Sequence, residues 1–175
     1  RDGIGSFADD WQIIMPLRNR YDIGSVGINA FVQEHYRSEA IRAELELRNK
    51  DWRFPLPYPG NIVRGDKVIN LANTNIETAN KPIDADKIRA IPVANGEIGV
   101  VGQAKSFKKI KYGVEFSSQP RKCFCYSGKE QSDDSSLLEL AYAITVHKAQ
   151  GSDFKTVILI MGENTPLTSR EMLYT

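Results

Sequence analysis

Apolar residues follow two patterns along this chain, and the change from one to the other divides it. Trp11-Gln-Ile-Ile-Met15 is a short, nearly continuous apolar run stopped by Pro16, the form of a strand buried in a parallel sheet. Arg18 to Gly24 reads as a polar loop. Ser25 then has the side chain to cap a helix in which Val26, Ile28, Asn29, Val32 and Gln33 recur at helical spacing. Strand, loop and helix in that order are the mark of an α/β layer. Ile41, Leu45 and Leu47 stand among charges and fit no single template. The Pro-rich stretch from Phe54 to Gly60 reads as a connection.

From Gly65 the pattern alternates. Asp66 to Leu71, Glu97 to Val101, Lys109 to Phe116 and Lys122 to Tyr126 each switch between apolar and polar positions, with Gly, Asn and Pro between them. One wet and one dry face predict antiparallel strands of a small barrel or sheet. Asn95-Gly96 predicts a tight turn, and Gly99 a bulge. Thr74 to Arg89 reads as a charged, mobile linker, and Lys129 to Ser136 as an irregular polar stretch. The α/β character returns at Leu137 and ends in a buried strand, Val157 to Ile160. The expected organisation is therefore an α/β domain made of residues 1–64 and 128–175, interrupted by a small β insert over residues 65–127.

Composition adds mainly exclusions. A 175-residue chain with 41% hydrophobic and 26% charged residues is an ordinary globular one. Its net charge of +1 provides no global field for a polyanion, so nucleic-acid binding would need a local patch. The apolar runs are too short to cross a bilayer, and the first residues lack a signal-peptide pattern. A cytoplasmic protein without membrane partners is expected. The first residue is not Met, which suggests a piece of a longer polypeptide. Cys123 and Cys125 have no second Cys pair, so half-buried thiols are expected rather than a zinc site, and no metal ligands are assigned.

The densest chemistry lies in Ala141-Tyr-Ala-Ile-Thr-Val-His-Lys-Ala-Gln-Gly-Ser-Asp153. Thr145 and Gln150 can hydrogen-bond phosphate or base, Lys148 can neutralise a phosphate, and Gly151 permits close backbone approach. Such a loop beside a core strand is where α/β sheets bind ligands. A plainer alternative is a helix that begins with polar residues, His147 being an ordinary surface histidine. The segment resembles motif V of RecD-like superfamily 1 helicases, which reads A-x-T-V-H-K-x-Q-G-S-[DE]. By that resemblance Thr145, His147 and Lys148 face the DNA backbone, and Gln150, Gly151 and Asp153 lie nearer the nucleotide.

Further matches follow in family order. Gln12 to Arg18 followed by Gly24 to Gln33 is similar to motif IV, a strand ending in Pro and then G-x-x-x-x-N-x-x-x-Q. An arginine after that strand can grip the γ-phosphate across the cleft with paired donors; Arg18 is the choice and Arg20 the reserve. Two solvated loop arginines are the alternative. Val63 to Ile69 with Asn95 to Val101 resembles the Src-homology-3-like barrel inserted in the second motor domain of these helicases. The plainer alternative there is a spacer with a hydrated basic edge at Lys108, Lys109 and Lys111. Ser169 to Thr175 looks like the opening of motif VI, without the arginine-finger segment that follows it in the family. Two decoys drop out. Gly60 to Gly65 has P-loop glycine spacing, but Asp66 stands where the phosphate-binding lysine belongs. Val157 to Glu163 mimics a magnesium-binding strand with no P-loop upstream.

The resemblance implies a RecA-like parallel sheet of the P-loop-NTPase type, a second motor domain without the P-loop, carrying an inserted antiparallel β-barrel. It implies ATP and Mg2+ bound by the intact protein and neither by this piece alone, which is expected to be catalytically inactive. The expected partners are single-stranded DNA, the first motor domain of the same parent chain and a larger recombination or repair complex. Two alternatives remain: a non-catalytic nucleic-acid or protein binding module built on the β insert, and an RNA-directed helicase of the same superfamily.

Overall fold

The computed structural model describes residues 3–19, 24–54, 60–78, 90–106, 109–126 and 136–161. The features read at Arg20, 55–59, 79–89, Lys108, 129–135, Glu163 and 169–175 lie outside them, as do the side chains of Lys109 and Lys111. After a 3-10 helix (Ile4–Asp9) come strand β1 (Gln12–Met15) and helices α1 (Ser25–Tyr36) and α2 (Ser38–Lys50). Strands β2 (Lys67–Asn70), β3 (Thr74–Glu77), β4 (Ala90–Val93), β5 (Ile98–Ser106), β6 (Lys109–Phe116) and β7 (Phe124–Tyr126) follow. The last elements are β8 (Leu138–Leu140), β9 (Ala143–Thr145), helix α3 (Val146–Ala149) and β10 (Val157–Leu159). Contacts divide the chain into two units, with boundaries at Ala8/Asp9, Arg37/Ser38 and Leu140/Ala141.

The first unit is a parallel sheet in the order β10-β1-β9. Ile13, Ile14 and Met15 lie opposite Ala143, Ile144 and Thr145, and Gln12, Ile13 and Ile14 opposite Val157, Ile158 and Leu159. Trp11–Met15 and Val157–Ile160 are thus joined in one parallel layer, as the apolar runs suggested. Burial differs from that reading, because β10 is exposed along its length.

Polar side chains join this layer together. Gln12 is fully buried, and its Nε2 donates to the carbonyls of Ala141 (3.0 Å), Tyr142 (3.0 Å) and Ile13 (3.1 Å). Asn29 of α1 donates from Nδ2 to Ala143 O (2.9 Å) and accepts from Ala143 N at Oδ1 (2.8 Å). Its carboxamide thereby imitates a neighbouring strand and closes the outer edge of β9. The buried face of α1 is Ser25, Asn29 and Gln33, while Val26 and Phe31 face solvent. The helical repeat was legible, but its inner face is polar. Gly24, not Ser25, is the N-cap, and it has no side-chain cap.

The second unit is an antiparallel sheet in the order β7-β6-β5-β2-β8 beside a two-stranded β3-β4 ribbon. It curls into half a barrel. A Thr78–Phe124 bridge links the ribbon to β7. Val68, Val101, Tyr112, Val114, Phe116, Phe124 and Tyr126 form the core with Ile62, Ile76, Val93 and Leu138. Phe116 lies 5.4 Å from Phe124 and 6.4 Å from Tyr126, in tilted and edge-on geometries that suit the ring quadrupoles. Burial pushes the Tyr112 phenol upward, and its hydroxyl has no hydrogen-bond partner among the described residues.

Several boundaries fall elsewhere than the sequence placed them. Ile41 to Leu47 belong to α2, whose one buried side chain is Glu44, ion-paired with Arg64. Both α2 and the 60–64 turn group with the antiparallel unit. The stretch read as a linker from Thr74 begins with β3, paired with β4. Leu138–Leu140 pairs with β2, so the change of layer comes at Ala141 rather than near Leu137. Asn95-Gly96 does form a turn, with Gly96 at φ 92°, but it joins strands of different sheets. Gly99 marks no bulge, since its pairing with Val68 and Phe116 is in continuous register. A Cβ there would come within 2.5 Å of Glu115 O, so close strand approach is what requires glycine. The decoy at Gly60 to Gly65 is a turn in which buried Asp66 accepts from Val63 N at 2.9 Å.

Cys123 and Cys125 form no disulfide among the described residues and are half-buried. Burial first, and then the nearby Cys125 and Glu115, pushes the Cys123 thiol up to about 12. A raised pKa keeps the neutral thiol at every lower pH, so Cys123 should resist iodoacetamide at about pH 8 until the protein is denatured. Mass-spectrometric mapping of the alkylated residue checks this. Replacing Asn29 by Ala strands the edge groups of Ala143 and should lower stability by about 2 kcal/mol. Urea unfolding followed by far-ultraviolet circular dichroism measures it, and a change within error would show the clamp to be dispensable.

Candidate nucleic-acid and nucleotide interface

Parallel strands present their carboxyl ends at one edge of the sheet. Here that edge carries Met15 and Thr145 side by side in register. Two connections leave it. After β1 the chain runs through Pro16 to Asn19, and the carbonyls of Leu17 and Arg18 accept from Ser25 N (3.0 Å) and Val26 N (3.3 Å). The start of α1 therefore has its first N–H groups occupied by the loop that precedes it. Arg18 is held by its backbone at the carboxyl end of the sheet, with an exposed side chain.

The second connection is the polar segment after β9. Thr145 has extended φ and ψ (−78°, 156°) and is the N-cap of α3, its Oγ1 accepting from Lys148 N at 3.4 Å. That bond uses a lone pair and leaves the hydroxyl proton available. α3 is a single turn packed against β1, with His147 exposed and Lys148 half-buried. Gly151 has φ +82°, and a Cβ there would meet nothing within 4 Å. The left-handed backbone favours glycine at this position. Gln150, Gly151, Ser152 and Asp153 are all exposed.

β10 runs parallel to β9, so the chain must return to the opposite end of the sheet after α3. The return is anchored there by Lys155. Its N–H donates to Asp9 O (2.9 Å) and its Nζ to Asp10 Oδ1 (2.6 Å), just before β1 begins. The hydrogen bond to Asp10 raises the Lys155 pKa, with the charge of Asp10 adding to it. Stacked Trp11 and Tyr142 (6.4 Å, 15°) brace the same end. Asp153 is two residues from Lys155 and so lies on the return path. The structure brings Arg18 to the same sheet edge as Thr145, His147 and Lys148, and the chain beyond α3 runs on to the Lys155 anchor.

Gln12 was read within an apolar run, Asn29 within a helical repeat, and both within the motif IV likeness, yet their hydrogen bonds fix β9 and so position everything that follows it. The available signals were a carboxamide opening an otherwise apolar strand and amides spaced four apart, Asn29 and Gln33, on one helix face. Among the described residues no group of three His, Cys, Asp or Glu could hold a metal ion, and no helix is long and apolar enough to cross a membrane.

Residues 140–175 match the model of the UvrD-like helicase C-terminal domain. The match supports a superfamily 1 helicase C-terminal region and begins within β8, covering the whole polar segment. Over 171 residues the chain is also 31% identical to an uncharacterized protein of Methanocaldococcus jannaschii. The alignment takes in 97% of this chain and spans 14% of the length of that relative.

Proposed function

We propose that this chain is the second motor region of a RecD-like superfamily 1 DNA helicase, and that its parent hydrolyses ATP with Mg2+ to move along single-stranded DNA. One observation carries the reading. Thr145 and the α3 turn that follows it leave the carboxyl edge of a parallel sheet, within the stretch similar to the UvrD-like helicase C-terminal domain. The similarity falls outside the β2–β7 strands, which favours the motor over the antiparallel unit as the seat of function.

In this reading Thr145, His147 and Lys148 form part of the wall of the DNA channel. The ammonium of Lys148 neutralises a backbone phosphate, and the Thr145 hydroxyl donates to a phosphate oxygen while its lone pair holds the turn of α3. Arg18, with Arg20 in reserve, reaches the γ-phosphate held by the first motor domain and stabilises charge as the phosphoryl group leaves. Gln150, Gly151 and Asp153 contribute on the nucleotide side. ATP binding closes the cleft and hydrolysis opens it, so the two motor domains alternate their grip on the strand. The antiparallel unit is the Src-homology-3-like guide of the strand. The parent is cytoplasmic and works in a larger recombination or repair complex, and this piece alone hydrolyses no ATP.

The test uses the parent protein. His147→Ala and Lys148→Ala should reduce DNA-stimulated ATPase more than basal ATPase, and Lys148→Ala should lower the salt slope of DNA binding by about one. Equal loss of basal and stimulated activity removes the DNA-facing assignment. Arg18→Ala should slow turnover by roughly 100-fold or more while DNA affinity holds. Unchanged turnover, measured by phosphate release, transfers the role away from Arg18.

A further inference from the structure

Strand β7 turns Phe124 and Tyr126 into the core of the antiparallel unit and leaves Cys125 half-buried on the opposite face. Cys125 lies opposite Gly113 of β6 in continuous register. Directly opposed residues share a face, with their Cβ atoms about 4.5–5.5 Å apart. A Cβ built on Gly113 would come within 2.2 Å of the sulfur of Cys123. The Cys123 sulfur therefore fills the place across from Cys125 where a side chain would otherwise stand. It lies no more than about 8 Å from the Cys125 Cβ, a gap that the χ1 rotamers of two half-buried thiols can close.

Glycine inside a strand weakens it and commonly marks a close approach. Gly113 has no left-handed backbone to explain it, so the room it leaves for the thiol is what requires it. Its neighbour on β5, Gly102, is covered in the same way, since a Cβ there would come within 2.9 Å of Ile4 Cδ1. The sulfurs thus border an apolar patch. The charges that act on Cys123 are those of Cys125 and Glu115, and Glu115 Oε2 already accepts from Ile4 N at 3.0 Å.

We propose that Cys123 and Cys125 form a two-sulfur site for a soft monovalent metal ion of the copper(I) class. Sulfur donors select such ions over hard ones, and a closed-shell monovalent cation is satisfied by two of them. Zinc, calcium and magnesium take four or more donors, and among the described residues no group of even three His, Cys, Asp or Glu could hold a metal ion. On binding, each sulfur releases its proton to solvent and gives the ion an electron pair, so no oxidant or reductant takes part. The hard carboxylate of Glu115 stays outside the pair. The site needs neither nucleotide nor DNA and does not rest on the helicase reading.

Copper(I), kept reduced under nitrogen and competed against a chromophoric chelator, reads the site in the 175-residue chain. One ion should bind per chain. Cys123→Ser and Cys125→Ser should each weaken binding roughly 100-fold, because the second thiol acts at high effective concentration. X-ray absorption at the copper edge should show two sulfur neighbours. Gly113→Ala keeps both thiols but drives a methyl group into the Cys123 sulfur, so it should lower the affinity while circular dichroism confirms the fold. Binding that either serine variant retains in full, or copper with a single sulfur neighbour, would overturn the pair and leave an adventitious ion only.

Discussion

The position of β9 is decided by carboxamides. Three carbonyls at the start of the layer converge on Gln12 Nε2, and both edge groups of Ala143 are met by Asn29. A short three-residue strand with little apolar area needs such directed bonds, because hydrophobic contact alone does not select a register. The arrangement has a cost: Gln12 Oε1 is buried with no hydrogen-bond partner among the described residues. The chain tolerates one unsatisfied acceptor because the two Nε2 protons are shared among three carbonyls that only one strand position brings together. Since Thr145 ends this strand, the same bonds fix where His147 and Lys148 leave the sheet.

Much of this could be read from the amino-acid order, and the parts that could not share a physical cause. The parallel pairing of β1 with β10 followed from continuous apolar runs, and β6 was bounded correctly by alternation. Burial was misjudged wherever pairing partners, and not side-chain character, decide it. β10 is as apolar as an interior strand and yet is exposed, because nothing among the described residues covers it. α1 conceals Ser25, Asn29 and Gln33, since the surface it packs on presents backbone amides instead of hydrocarbon. β8 was assigned to the wrong layer because a three-residue strand carries too little pattern to show which sheet it joins.

The candidate site was legible in type more than in placement. The residues Thr145 to Asp153 were identified from the density and order of their polar groups, but strand direction separates them. A parallel crossover has to return to the other end of the sheet, so one contiguous segment serves two ends. Thr145 to Lys148 remain at the carboxyl edge with Arg18, while Lys155 anchors the far end to Asp9 and Asp10. Spacing along a sequence cannot show such a reversal until the pairing of the next strand is known.

Helix α2 has an unusual attachment. Its one buried side chain is a carboxylate, gripped by Arg64, with one carboxylate oxygen unmatched among the described residues, and Leu45 points into solvent. Most helices hide an oily stripe, and a molecule that releases one becomes sticky. An element fastened by charge hides little grease, here only the half-covered Ile41 and Leu47, so its detachment would chiefly hand the surroundings an ion eager for hydration. Loosening of this helix would therefore leave the molecule dispersed instead of prone to clumping.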